Sequence, residues 1–239
     1  MTPENLVKSK ERVTAHGEVF TAACEVNAML DLVQGQFDRM DSRFLEPACG
    51  TGNFLVAVLR RKLAVATRKF GKRQPAWELN AVVAVSSLYG VDILPDNVEE
   101  CRTRLLGVFA DLYNKQFPAA ESTAACLRAV RHLLTQNILW GDALSMRTPD
   151  AAATPITFAE WSVVPGRRIK RRDYTLAHLL SAQAMQDTPM FSDLKTPAVF
   201  PKLAGESAPV PYLQLGAADE ALPLFSTANA APPAPAPGL

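Results

Sequence analysis

The short apolar stretch Arg43-Phe44-Leu45-Glu46 runs straight into Pro47-Ala48-Cys49-Gly50-Thr51-Gly52-Asn53, and helical periodicity starts at once with Phe54, Leu55, Val58, Leu59 and Leu63. Strand, glycine turn, helix is a local order that few folds accommodate. Gly50 and Gly52 have no Cβ, so the backbone turns sharply there and a ligand can approach it closely. The helix that follows offers unpaired N–H groups, which suit the carboxylate end of a bound molecule. The alternation then repeats. Leu88-Tyr89-Gly90-Val91-Asp92-Ile93 reads as a buried strand ending in an acid, and Pro95 suits the first turn of a helix carrying Val98, Leu105, Leu106, Val108 and Phe109. A further helix over roughly 119–134 leads to a third strand, Ile138-Leu139-Trp140, closed by Gly141-Asp142. This order predicts an α/β fold, a parallel sheet with helices on its faces.

The flanks read differently. Met1 to Gly17 is a charged lead-in, and Val26, Met29, Leu30 and Val33 share one helical face, with Gly35 as a stop. Beyond Asp150, Ile156 to Val164 is strand-like, Pro165-Gly166 is a turn, and Arg167 to Arg172 forms a return strand; Asp173 is expected to cap a last helix holding Leu176, Leu179 and Leu180. From Gln186 prolines and alanines accumulate, which predicts a largely disordered tail with a short docking segment near Leu222 to Phe225. The expected divisions are 1–42, 43–186 and 187–239.

At 239 residues the chain holds one well-buried domain plus a tail. A net charge of +1 means that any basic surface is local. Cys24, Cys49, Cys101 and Cys126 lack metal-ligand spacing, so no metal is expected, and reduced thiols in a cytoplasmic protein are the favoured reading. The polar start does not read as a secretory signal, and Ala81 to Val85 is too short to span a bilayer; a soluble protein without membrane contact is expected.

Glu46 lies four residues before the first glycine. A carboxylate there repels a pyrophosphate but suits the sulfonium and ammonium of S-adenosylmethionine. Asp92 stands where a carboxylate grips a ribose diol. Each residue also has a plain reading: G-x-G turns occur in ordinary loops, and Asp92 and Asp142 can cap turns.

The stretch from Phe44 to Phe54 resembles the first cofactor motif of adenine-specific DNA methyltransferases of restriction-modification systems. His16-Gly17-Glu18-Val19-Phe20-Thr21 resembles their segment over the methionine moiety, Gly90-Val91-Asp92-Ile93 with Asn97 their ribose-binding strand, and Asn137 to Leu144 the strand end that meets the cofactor's adenine. The resemblance implies a Rossmann-like methyltransferase sheet and a cofactor-covering helical segment over 1–42, to which the residues from Ile156 to Arg172 add a C-terminal β-hairpin. It implies S-adenosylmethionine contacts at Phe20, Thr21, Glu46, Pro47, Ala48, Gly50, Gly52, Asn53, Phe54, Asp92, Ile93, Asp142 and Ala143. Glu46 would hold the methionine ammonium, Asp92 the ribose, and Asp142 the adenine amino group, with Ile93 on the ring.

The match then stops. Family members carry Asn-Pro-Pro-Tyr or Asp-Pro-Pro-Tyr, whose first residue accepts from the target amino group and whose aromatic ring stacks on the flipped base. No such sequence occurs here, and Pro232-Pro233 follows Ala231. The catalytic residues are therefore unassigned; on the fourth strand Glu160 could accept from an amino group and Trp161 stack on a base, but a solvated Glu160 and a core Trp161 are the favoured reading. Three core strands and a hairpin also leave the sheet incomplete. Two basic clusters remain. Arg60-Arg61-Lys62 with Arg68-Lys69-Lys72-Arg73 reads as a solvated face, whereas Arg167, Arg168, Lys170, Arg171 and Arg172 lie on a hairpin beside Trp161 and Tyr174, a candidate for phosphate contact. Three functions compete: methyl transfer to DNA in restriction-modification or phage defence; a non-catalytic cofactor-binding subunit that needs a partner chain for target recognition and the missing motif; and methylation of RNA, protein or a small molecule, which needs no adenine-specific motif but which the form of the first motif argues against.

Overall fold

A computed structural model describes residues 8–16, 18–118, 123–180 and 203–218. The elements in chain order are α1 (Lys10–His16), α2 (Ala23–Leu32), β1 (Phe44–Glu46), α3 (Asn53–Phe70), α4 (Gln74–Ser86), β2 (Leu88–Asp92), α5 (Pro95–Gln116), α6 (Thr123–Asn137), β3 (Ile138–Trp140), β4 (Thr157–Val164), β5 (Arg168–Thr175), β6 (Leu203–Glu206) and β7 (Val210–Pro211). The chain is mixed α/β, with one parallel and one antiparallel sheet. Prolines in the first turns of α4 and α5 start both helices where a missing N–H is harmless.

β1, β2 and β3 pair in parallel in that order, with Phe44 opposite Leu88 and Gly90 opposite Ile138. Side chains alternate across this sheet. Leu88 and Ile138 join a large core built with α3 to α6, in which Leu55, Leu59, Trp77, Phe109 and Leu133 are fully buried. Tyr89, Val91 and Leu139 point the other way and meet Ile156, Phe158 and Leu176. The Tyr89 hydroxyl donates to the Ala159 carbonyl at 3.1 Å, which fixes β4 against the parallel sheet. β4 and β5 form a hairpin around Gly166 and Arg167, both at positive φ, and β6 and β7 each pair with β5. Among the described residues no helix is long and apolar enough to cross a membrane.

Several local expectations are corrected. The charged lead-in contains α1, held by ion pairs from Lys8 to Asp96 and Glu100 and from Arg12 to Asp96. In α2 only Val26 and Leu30 are buried, while Met29 and Val33 are exposed. Asp173 caps nothing; it sits within β5 and accepts from Arg171 at 2.6 Å. The helix at 176–180 has the Thr175 hydroxyl accepting from the His178 amide instead.

Lys62, expected on a solvated face, is fully buried. Its ammonium donates to the Met40 and Ser42 carbonyls and the Ser87 hydroxyl, and burial pushes its pKa down to about 7. Residues 203–218, expected in the tail, dock on the core. Tyr212 and Leu215 are buried there, and the Tyr212 hydroxyl donates to buried Glu78 at 2.6 Å. Glu78 also accepts from the Tyr113 hydroxyl and from Gln74. The docking segment expected near Leu222 to Phe225 lies outside the described residues.

Candidate functional site

The glycine turn sits above the carboxyl ends of the parallel strands. Gly50 (φ +51°) and Gly52 (φ +88°) are both left-handed, which explains two glycines within three residues. A Cβ on Gly52 would lie 2.6 Å from the Cys101 sulfur on α5, so helix packing requires glycine there as well. The turn is pinned from three sides. The Cys49 amide donates to the Val91 carbonyl (2.9 Å), the Gly50 amide to Asp92 Oδ2 (2.8 Å), and Arg104 donates to the Thr51 carbonyl and hydroxyl and to Asn53 Oδ1 (2.6–2.9 Å).

Asp92, 9% exposed, thus works first for the protein: Oδ1 also accepts from the Leu94 amide (2.9 Å) and from Asn97 (3.3 Å). The turn-holding reading of this residue is thus observed, and the same residue lines the cavity described below. Phe20 lies over Gly50, 3.2 Å from where a Cβ would stand, and Asn53 donates to the Thr21 carbonyl at 3.2 Å, tying the upstream segment to the turn.

Glu18 completes the arrangement. Its side chain is 7% exposed and accepts from Arg12 Nε (2.5 Å), Arg12 NH2 (2.8 Å) and Asn97 (2.6 Å). The hydrogen bonds from Arg12 hold its carboxyl below the ordinary range. Sequence reasoning gave no role to Glu18, Arg12 or Arg104. Only the position of Glu18, two residues before Phe20, signalled its place.

These elements enclose a cavity of about 550 Å³, within the usual size for small-molecule sites. Every residue expected to contact a cofactor lines it except Gly52, which stands behind the turn; Glu18, Asn97 and Leu144 line it in addition. Among the described residues four carboxylates line this space, those of Glu18, Glu46, Asp92 and Asp142, and no lysine or arginine does.

Glu46 is half-buried, accepts only a long bond from the Ala48 amide (3.5 Å) and has no cationic partner among the described residues; burial pushes its carboxyl pKa up. Asp142 follows β3, accepts from the Leu144 amide at 2.9 Å and is held below the ordinary range by the Ser145 hydroxyl and that amide. Ile93 and Leu144 expose apolar surface at the mouth, 45% and 93% accessible.

A second cavity, about 570 Å³, lies near Arg43, Tyr89 and Glu160. It is a weaker candidate, because its carboxylates meet the protein's own cations: Glu160 with Arg43 (2.7 Å), Asp38 with Arg68 and Lys69 (3.4 Å each), Asp41 with Arg39 (3.3 Å). Glu160 is therefore paired rather than simply solvated. Trp161 packs at the core's edge, its indole N–H toward Asn137 at 3.4 Å.

The basic ribbon is brought together on β5 and its turn but is largely engaged. Lys170 and Arg172 share Glu206 (2.7 and 3.0 Å), Arg171 pairs with Asp173 and lies over the Trp161 ring, and Arg168 donates to the Pro209 carbonyl at 2.7 Å. Arg167 and Arg168 have no carboxylate partner among the described residues. Comparison of the chain with protein-family models, with curated proteins and with solved structures finds no match.

Proposed function

We propose that this chain binds S-adenosylmethionine in the cavity above a Rossmann-like parallel sheet and serves methyl transfer to adenine in DNA. The supporting observation is the charge of the lining: four carboxylates and, among the described residues, no cation, at the carboxyl ends of the strands beside a glycine turn. Such a lining repels phosphates and attracts a ligand that carries a sulfonium and an ammonium. Glu46, which lacks a cationic partner among the described residues, takes the ammonium. Asp92 and Glu18 each already accept three protein hydrogen bonds, which leaves each about one of roughly four acceptor positions, so the ribose diol is shared between them. Asp142 accepts from the adenine amino group between Ile93 and Leu144.

In the reaction the methyl leaves the sulfonium for the target amine, the amine loses a proton, and S-adenosylhomocysteine is released. The DNA half of the proposal rests on the motif resemblance. Of the ribbon, Arg167 and Arg168 are the side chains with charge to spare for phosphates.

Calorimetry with S-adenosylmethionine tests the pocket, and the absence of binding refutes the proposal. Transfer of labelled methyl to mixed-sequence DNA tests the chemistry. Cofactor binding without transfer by the isolated chain assigns it to the subunit role.

A further inference from the structure

Two basic clusters that lie far apart in the chain meet in the fold. Arg68, Lys69, Lys72 and Arg73 stand at the junction of α3 and α4, and Arg167 and Arg168 at the turn between β4 and β5; all six residues are exposed. The turn is pinned to the start of α4. The Tyr212 amide donates to the Arg167 carbonyl at 3.2 Å, the Tyr212 hydroxyl to Glu78 at 2.6 Å, and Gln74 to the same carboxylate at 2.9 Å. Arg73 and Arg167 thereby flank one groove of about 530 Å³, floored by Phe70, Pro75, Ala76 and Leu79. A neighbouring hollow over the junction adds Arg68, Lys69 and Lys72 and shares Arg73 with the groove.

Most of this charge is uncompensated. Asp38 meets Arg68 and Lys69, each only at 3.4 Å, whereas Lys72, Arg73, Arg167 and Arg168 have no carboxylate partner among the described residues. Arg168 donates to the Pro209 carbonyl and keeps its charge. Among the described residues no acid lines the groove or the hollow. The apolar floor is a low-dielectric wall that concentrates the field of the cations above it. The undescribed residues hold a single adjacent pair of acids, Asp219-Glu220, too few to neutralise six cations. In a chain of net charge +1 the patch is a local excess of one sign.

We propose that the α3–α4 junction and the hairpin turn form one phosphate-binding surface, which grips duplex DNA away from the cavity. The choice of duplex DNA rests on the proposed methyl transfer; the surface itself rests on the placement of the cations. A duplex presents about one negative charge per 1.7 Å of its axis, against about 3.3 Å per residue in an extended run of acids. α3 begins at the cavity with Asn53 and ends at the groove with Phe70. Its 18 residues set the two about 27 Å apart. A duplex covers that distance in about eight base pairs at about 3.4 Å each. The surface therefore holds DNA that flanks the reacting base and leaves the cavity free for it.

The test is fluorescence anisotropy of a labelled duplex of about 24 base pairs with the full chain over a salt series. The parent binds the duplex. Lys72→Gln with Arg73→Gln reduces the slope of log affinity against log salt by about 1.8 and weakens binding about tenfold or more at about 50 mM salt. Lys170→Gln with Arg172→Gln removes the same charge where Glu206 already pairs it, and reduces the slope by less than about 1. S-adenosylmethionine calorimetry of the Lys72 and Arg73 variant stays at the parent value; a changed value overturns the separation of grip and cavity. A slope that falls by less than about 1 in the Lys72 and Arg73 variant, or equally in the two variants, overturns the surface and leaves methyl transfer to DNA standing. A parent that binds no duplex overturns both. Tighter binding of single strands or of anionic vesicles than of the duplex gives the patch another partner and overturns the inference as well.

Discussion

Glu46→Gln keeps the shape of the side chain and removes only its charge, so it isolates the electrostatic claim about the cavity. Glu46 is half-buried, with one long hydrogen bond and no cation beside it among the described residues. An ammonium at about 4 Å in a medium of effective dielectric about 20 interacts with it by about 4 kcal/mol. Desolvation of both groups and the partial exposure of Glu46 remove much of this, leaving the range of a charged hydrogen bond, about 1.5–3 kcal/mol. That corresponds to a dissociation constant raised about 10- to 150-fold.

Asp92 and Asp142 remain in place, so binding is weakened rather than erased. Calorimetry on the full chain measures the effect, with thermal midpoints run alongside to show that the variant is folded. A pH series adds a second readout. The ligand needs the ionised carboxyl, and burial raises that carboxyl's pKa in the free protein. Affinity is therefore present above the raised pKa and lost as pH falls through it, starting at a higher pH than for an exposed glutamate, while Glu46→Gln shows no such fall. An affinity within about twofold of the parent, well below one hydrogen bond's worth, would refute the placement of the ammonium.

Four further outcomes follow from the geometry. Gly52→Ala places a methyl 2.6 Å from the Cys101 sulfur at φ +88°, and costs about 1–3 kcal/mol from backbone strain alone, read as a lower thermal midpoint that Cys101→Ala restores only in part. The Lys62 pKa is depressed to about 7 in the fold, so above that pH the unfolded chain binds the extra proton; stability rises between about pH 7 and 10 by up to about 1.4 kcal/mol per pH unit. Lys62→Met flattens this rise in denaturant titrations. Tyr212→Phe removes a donor from buried Glu78 and lowers stability by about 1–3 kcal/mol, and an unchanged urea midpoint would count against the docking of 203–218. Arg167→Ala with Arg168→Ala reduces the slope of log affinity for duplex DNA against log salt by about 2, whereas Lys170→Ala with Arg172→Ala changes it by less.

The parallel sheet was legible in the sequence because each strand ends in residues with a local signature: two glycines after Glu46, an acid and a proline after Val91, Gly141-Asp142 after Trp140. The residues lining the cavity were legible for the same reason, since they cluster at those strand ends. What escaped was set by distance along the chain. Arg12, Glu18 and Asn97 meet across about 80 residues and show no spacing rule. Lys62 looked like part of a charged face because its three acceptors come from two separate loops. The strands at 203–206 and 210–211 hid in proline-rich composition, which is compatible with an edge strand as well as with disorder. Asp173 was taken for a helix cap because an acid just before an apolar helical pattern reads as one; β5 extends through it to Thr175, which took that place.

The carboxylate of Glu78 joins parts of the chain made far apart in time. Its hydroxyl donors, Tyr113 and Tyr212, stand 35 and 134 residues later in the chain. A nascent chain that has emerged only as far as β5 carries every helix from α3 to α6, yet holds a buried acid short of one of its donors. Such high sequence separation makes the contact slow to form. Maturation of the helical layer is thereby coupled to synthesis of the segment around residue 212, and a ribosome stalled before that point presents an unfinished core to chaperones and proteases.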